Sequence, residues 1–173
     1  MEKYIPDVYQ KSIYNIDYTK LKEKGIHCLL FDLDNTLVPY SVKKPDDKIV
    51  ELFSQLKELG FRVILFSNSG KKRLRTFKEE LEVDCCASAR KPHTKSFYRV
   101  LKEYHLKEDE VAVIGDQMMT DVLGGNRVGI TTILVNPISV RDPFWTMPNR
   151  MLEKRMMKKL RNHDLFFRGR YYE

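Results

Sequence analysis

No apolar run in this sequence is long enough to cross a membrane. The longest uncharged candidate, residues 129–140, has 12 residues and contains Asn136 and Pro137, whereas a spanning helix needs roughly 20 apolar residues. The first residues, MEKYIPD, contain no apolar segment of the kind found in secretory signals. We therefore expect a cytoplasmic protein. Its 173 residues suffice for one domain that buries a core without disulfides or structural metals.

Cysteine is also scarce. The sequence has three cysteines, Cys28, Cys85 and Cys86, and no CxxC pair among them. This pattern excludes a disulfide framework and the common type of zinc centre, and we expect buried thiols in a reducing compartment. The phosphate-binding signature GxxxxGKS/T is absent too, which excludes a P-loop kinase.

Positive charge is concentrated at one end of the chain. Residues 139–173 contain nine Lys/Arg and four Asp/Glu, so they carry +5 of the net charge of +7. Six aromatic residues lie among these basic residues: Phe144, Trp145, Phe166, Phe167, Tyr171 and Tyr172. Three interpretations stay open: peripheral docking on an anionic membrane, a helix packed on the core with a solvated basic face, and contact with nucleic acid. Nucleic-acid contact is the one that we do not favour.

The middle of the chain alternates between short apolar runs and helical patterns. The apolar runs are 27–33, 62–67, 85–88, 111–115 and 131–135. Strands of continuous apolar character separated by amphipathic helices predict an α/β fold, a doubly wound parallel five-stranded sheet covered on both faces. We divide the chain into a lead-in arm (1–26), a core (27–136) and a basic aromatic C-terminal extension (137–173) that packs on or beside the core.

Polar residues follow several of the predicted strands. They are Asp32 and Asp34 after the first strand, Ser67 and Asn68 after the second, Lys91 before the third helix, and Asp116 and Asp121 after the fourth strand. Ligands of open parallel sheets bind at the carboxyl ends of the strands, so these side chains are expected to converge.

The residue types at this edge indicate phosphate chemistry. Three carboxylates repel one another unless a cation lies among them, and Mg²⁺ with oxygen ligands fits that need. Lys91, the Ser67 hydroxyl and backbone N–H groups from Asn68 onward would bind phosphoryl oxygens. Asp32 could attack phosphorus, and Asp34 could protonate the leaving oxygen and then activate water.

The segment Asp32-Leu33-Asp34-Asn35-Thr36 resembles the DxDxT signature of the haloacid dehalogenase-like phosphatases. Ser67, Lys91 and the pair Asp116 and Asp121 resemble the other three motifs of that superfamily, in order. The resemblance implies that Asp32 is the nucleophile and Asp34 the general acid/base. It implies a Mg²⁺ site made by Asp32, the Asp34 backbone carbonyl and Asp116, with Asp121 acting through water. It also implies that the five strands of the sheet are arranged in the order 5-4-1-2-3.

The spacing of the motifs leaves no room for a cap domain. Only 30 residues separate Thr36 from Ser67, and 23 separate Ser67 from Lys91. The chain thus resembles the capless subclass IIIA, and its flanks resemble the YqeG family, which is related to the mitochondrial phosphatidylglycerophosphate phosphatase. That likeness implies a phosphorylated lipid headgroup as substrate. The alternatives are a soluble sugar phosphate, a nucleotide or a polynucleotide end, or a non-enzymatic phosphate-binding or nucleic-acid-associated protein. No candidate catalytic residue follows Asp121, so removal of the C-terminal extension is expected to leave the hydrolysis of small phosphate esters unchanged.

Overall fold

The computed structural model describes residues 1–140 and 143–173. Arg141 and Asp142, which count toward the charge of the tail, lie outside the described residues, as does the side chain of Trp145. The strands are β1 (Val8–Gln10), β2 (Cys28–Phe31), β3 (Arg62–Phe66), β4 (Asp84–Cys86), β5 (Val111–Gly115) and β6 (Thr131–Val135). The helices are α1 (Tyr18–Glu23), α2 (Asp47–Glu58), α3 (Lys71–Leu81), α4 (Lys95–Glu103), α5 (Leu123–Val128) and α6 (Met147–Asn162).

The strands form one sheet in the order β1-β6-β5-β2-β3-β4, and every pair in it is parallel. The predicted order of the five core strands is confirmed. The predicted number of strands is wrong, because the lead-in arm supplies a sixth strand, β1, which pairs with β6 at the edge. The sequence did not reveal β1 because it has only three residues within a polar arm.

Both faces of the sheet are covered, as expected for a doubly wound fold. In β2, Leu29 and Phe31 pack into the cluster that contains the buried residues of α2 and α3. Their neighbours Cys28 and Leu30 point to the opposite face, where they pack with residues of α4. This alternation follows from the two-residue period of a strand and explains why the run is apolar throughout.

Helix α2 shows how the local sequence determines these elements. The Asp46 carboxylate accepts a hydrogen bond of 2.9 Å from the backbone N–H of Ile49, which caps the helix start. The chain leaves the helix at Gly60, whose φ of 87° lies in the left-handed region that glycine tolerates best. Across the described ranges, no helix combines the length and the apolar character that a membrane span requires.

The C-terminal extension packs on the edge of the sheet near β1. Leu160 of α6 and Phe166 are buried with Tyr9 of β1. Tyr172 pairs with Tyr9 through two backbone hydrogen bonds of 2.9 Å. Phe166 is therefore part of the core rather than a candidate for contact with lipid headgroups.

Candidate active site

The loops at the carboxyl edge of the sheet surround a cavity of about 350 Å³. Its lining includes Asp32, Asp34, Ser67 and Lys91, each of which the sequence places at a strand end or loop of this edge. The C-terminal extension also contributes to the wall, through Pro143, Thr146 and Asn149. The convergence that the sequence predicts is thus present, and the cavity has an additional wall that the motif spacing did not indicate.

Lys91 is the centre of the hydrogen-bonding arrangement at the cavity floor. Its Nζ lies 2.9 Å from Asp32 Oδ1 and 2.6 Å from Asp121 Oδ1, and it donates to the Phe66 carbonyl at 2.8 Å. The Lys91 side chain is 2% exposed. Burial opposes its charge, but Asp121 and Asp32 outweigh burial and raise the pKa of Lys91 above its usual range. Lys91 is therefore a fixed positive charge.

Three buried carboxylates, those of Asp32, Asp116 and Asp121, lie close enough to share one cation, with oxygens within 4.8 Å of one another. The Thr36 hydroxyl lies 3.2 Å from both Asp32 Oδ2 and Asp116 Oδ1 and links two of them. Burial raises the pKa of Asp32 to about 7. The nearby Lys91 lowers this pKa, and the negative charge of Asp121 raises it. Burial and the nearby Asp32 likewise raise the pKa of Asp116 well above its usual range. A divalent cation would relieve this crowding, and the all-oxygen donor set suits a hard one.

Asp121 belongs to this cluster because a glycine faces it. A Cβ on Gly115 would clash with the Asp121 side chain, so no side chain fits at position 115. The backbone N–H of Gln117 donates to Asp121 Oδ2 at 3.2 Å. The resemblance implies that Asp121 acts on the metal through water, whereas the structure places its carboxylate beside those of Asp32 and Asp116.

Asp34 faces the cavity from the other side of the loop. The Ser69 hydroxyl donates to its Oδ2 at 2.6 Å, and Arg73 donates to its Oδ1 at 3.1 Å from Nε and 3.0 Å from Nη2. Its carboxylate is therefore held by two side chains, one from the loop that follows β3 and one from α3. The sequence analysis missed Ser69 and Arg73, because only the turn from β3 into α3 brings them to Asp34.

Ser67 and Asn68 follow β3 at the cavity. The Ser67 hydroxyl accepts a hydrogen bond of 3.1 Å from the Ser69 backbone N–H, which fixes its position. The Asn68 side chain accepts from the Lys91 backbone N–H at 2.7 Å and donates to the Lys91 carbonyl at 3.1 Å. The Asn68 side chain thus anchors the loop that carries Lys91.

Arg150, in the first turns of α6, reaches the acidic cluster. Its Nη2 lies 2.6 Å from Asp116 Oδ2, and its Nη1 lies 3.7 Å from the buried Glu153. The sequence analysis places no candidate catalytic residue beyond Asp121, whereas the structure brings Arg150 of the C-terminal extension into contact with the acidic cluster. The sequence could not single out Arg150, because α6 contains five further basic residues at similar spacing.

Comparison with known proteins agrees with this geometry. The family model described as HAD-hydrolase-like matches residues 88–137. The Bacillus subtilis (strain 168) protein named "Probable phosphatase YqeG" is 40% identical over 91% of this chain and 92% of its own length. The Arabidopsis thaliana "Phosphatidylglycerophosphate phosphatase 1, chloroplastic/mitochondrial" is 29% identical over 90% of this chain, which spans 47% of that protein.

A solved structure has the same fold. The cobalt-bound deoxy-D-mannose-octulosonate 8-phosphate phosphatase from Haemophilus influenzae superposes with a TM-score of 0.54 at 13% sequence identity, over 80% of this chain and 94% of that one. The parallel sheet and the site at its carboxyl edge define a haloacid dehalogenase-like hydrolase. Given the extent of its similarity to the Bacillus protein, the chain belongs to the YqeG family of that superfamily and is a phosphatase. Within the described residues, no cap domain is inserted between the motifs.

Proposed function

We propose that the chain is a Mg²⁺-dependent phosphomonoesterase that acts through an aspartyl phosphate on Asp32 and that its substrate is phosphatidylglycerophosphate. The observation that carries the mechanism is the buried contact between Asp32 and Lys91, 2.9 Å long, at the floor of the cavity. A carboxylate beside a fixed cation can attack phosphorus while the cation neutralises the phosphoryl oxygens.

In the first half of the reaction, a carboxylate oxygen of Asp32 attacks phosphorus and the ester P–O bond breaks. The leaving oxygen takes a proton from Asp34, whose carboxyl group Ser69 and Arg73 direct into the cavity. Lys91 and the Ser67 hydroxyl stabilise the charge on the transferred group.

In the second half, Asp34 takes a proton from water, and the oxygen of that water attacks the aspartyl phosphate. The bond between phosphorus and Asp32 breaks, which releases inorganic phosphate and restores the carboxylate. Asp32 and Asp116, with Asp121 beside them, would hold Mg²⁺, which when bound supplies positive charge that offsets the charge of the phosphoryl oxygens.

The choice of substrate is supported by the relatives. The Arabidopsis protein named for phosphatidylglycerophosphate is similar over 90% of this chain. Among the described residues no cap domain is inserted between the motifs, so a headgroup that stays attached to its lipid could enter the cavity.

The test is phosphate release from phosphatidylglycerophosphate in mixed micelles, compared with sugar phosphates, nucleotides and a 5′-phosphorylated oligonucleotide. We expect kcat/KM for the lipid to exceed the best soluble substrate by roughly tenfold or more, with loss of activity on chelation of Mg²⁺. Asp32→Asn protein from the same preparation gives the background. Equal or better hydrolysis of one soluble compound would instead identify that compound class as the substrate.

Arg150 is proposed to position the Asp116 carboxylate. We expect Arg150→Gln to lower kcat/KM for p-nitrophenyl phosphate by roughly 10- to 100-fold and to change the Mg²⁺ concentration at half-maximal rate, because partners of metal ligands typically contribute that much. Arg150→Lys should recover part of the lost kcat/KM and part of the wild-type Mg²⁺ dependence. An unchanged rate with an unchanged Mg²⁺ dependence, at an equal melting temperature, would show that the contact has no role in catalysis.

A further inference from the structure

We infer that the outer face of α6 and the turn that precedes it form a docking surface for an anionic lipid bilayer, placed at the mouth of the catalytic cavity. The inference rests on the proposed function in that it names the form in which the substrate is met, a headgroup held in a membrane. Three observations support it: the position of the exposed apolar side chains, the charges on the same helix face, and the closeness of that face to residues that line the cavity.

The exposed apolar side chains of the described residues are concentrated after Pro137. Phe144 is 80% exposed, Met147 is 55% exposed and Met151 is 64% exposed. Solvent exposure of several large apolar side chains in one short segment is characteristic of interaction surfaces. Met151 is the most exposed residue of this type in α6.

The same helix face carries positive charge and no negative charge. Met147, Met151 and Arg155 lie one turn apart, and Lys158 follows on that face. Glu153 is the sole acidic residue of α6, and it is buried beside Arg150. The outer face is therefore apolar at its start and basic further on, the pattern of helices that lie in a membrane interface.

The apolar start of this surface lies in the same turns of the chain as two residues that line the catalytic cavity. Thr146 and Asn149 contribute to the cavity wall; Met147 directly follows Thr146, and Met151 follows Asn149 by two residues. A bilayer in contact with the two methionines would therefore lie within about one helical turn of the cavity wall. A lipid headgroup could then reach Asp32 while its acyl chains stay in the membrane.

A bilayer fits this surface better than a second copy of the chain does. The chain has a net charge of +7, and the basic part of the α6 face would be repelled by the same face of another copy. An anionic membrane offers both the apolar medium and the complementary charge.

The experiment is co-sedimentation with vesicles of equal parts phosphatidylglycerol and phosphatidylcholine, and with phosphatidylcholine alone. We expect the wild type to bind the anionic vesicles at low salt and to be largely released at about 1 M salt, where the Debye length is about 3 Å. The double variant Met147→Gln/Met151→Gln should bind roughly tenfold more weakly at either salt concentration. The triple variant Arg155→Gln/Lys158→Gln/Lys159→Gln should bind roughly 100-fold more weakly at low salt.

Matched controls remove the same chemistry elsewhere. Val50→Gln/Tyr98→Gln replaces exposed apolar side chains of α2 and α4, and Lys95→Gln/Lys102→Gln/Lys107→Gln removes three exposed charges. We expect both to bind vesicles like the wild type. All variants should hydrolyse p-nitrophenyl phosphate at the wild-type rate, since none of the changed residues touches the catalytic groups.

Wild-type protein that stays in the supernatant at low salt would overturn the docking surface and leave the phosphatase mechanism intact. Controls that lose binding as much as the α6 variants would also overturn it, because binding would then be non-specific. If Met147→Gln/Met151→Gln instead turns a dimer into a monomer in sedimentation velocity, the face is a contact between copies. Vesicle binding without hydrolysis of phosphatidylglycerophosphate would support the surface and contradict the proposed substrate.

Discussion

Replacement of Asp32 by asparagine is expected to lower the rate of phosphate release by roughly 10⁴-fold or more while the protein stays folded. Asparagine keeps the shape of the side chain but is a poor nucleophile toward phosphorus. Burial and Asp121 already make the charge on Asp32 unfavourable, as its raised pKa of about 7 shows. Lys91 keeps its contact with Asp121 in this variant, so the melting temperature should be unchanged or raised.

The assay is release of phosphate from p-nitrophenyl phosphate with saturating Mg²⁺, with thermal unfolding measured on the same samples. Asp109→Asn is a matched control, because Asp109 is exposed in the turn before β5. It should retain wild-type activity. If Asp32→Asn retains activity within tenfold of the wild type, the carboxylate of Asp32 does not perform the attack.

Lys91→Met is expected to lower both activity and stability. Lys91 neutralises two buried carboxylates, Asp32 at 2.9 Å and Asp121 at 2.6 Å. Removing one member of such a buried pair costs about 3–5 kcal/mol, which for a chain of this size corresponds to a fall in Tm of roughly 6–20 °C. Activity should fall by roughly 10³-fold or more, since the positive charge beside the attacked phosphorus is lost.

A second substitution separates the two effects. In Lys91→Met/Asp121→Asn one of the unpaired carboxylates is neutral, so part of the lost Tm should return while activity stays low. Lys95→Met, at an exposed position of α4, is the matched control and should change neither quantity. A Lys91→Met protein that melts like the wild type would contradict the assignment of Lys91 as the counter-charge of the cluster.

The fold and the motif residues could be read from the sequence because each depends on local patterns. Apolar runs such as Val111–Gly115 form strands buried on both faces, and the polar residues directly after them can only lie at the carboxyl edge. The strand order additionally required the family resemblance. The three residues of β1 carry no such pattern, and their pairing with β6 connects positions that are more than 120 residues apart.

The partners of the motif residues could not be predicted in the same way. Arg73 reaches Asp34 from α3, and Arg150 reaches Asp116 from α6, so each contact depends on how a helix packs rather than on a local pattern. The same holds for the C-terminal extension. Its sequence does not distinguish apolar residues that pack on the core from those that face solvent, whereas the structure buries Leu160 and Phe166 and exposes Met151.

The most direct test of the account is chemical quenching of Asp34→Asn protein during reaction with p-nitrophenyl phosphate. The p-nitrophenolate group leaves without a proton, so the first half of the reaction proceeds, whereas the second half lacks the base that activates water. We predict that mass spectrometry finds one phosphoryl group on the peptide that contains Asp32, at higher occupancy than in the wild type. Absence of the adduct, in conditions where the wild type turns over, or an adduct on another residue would contradict Asp32 as the nucleophile.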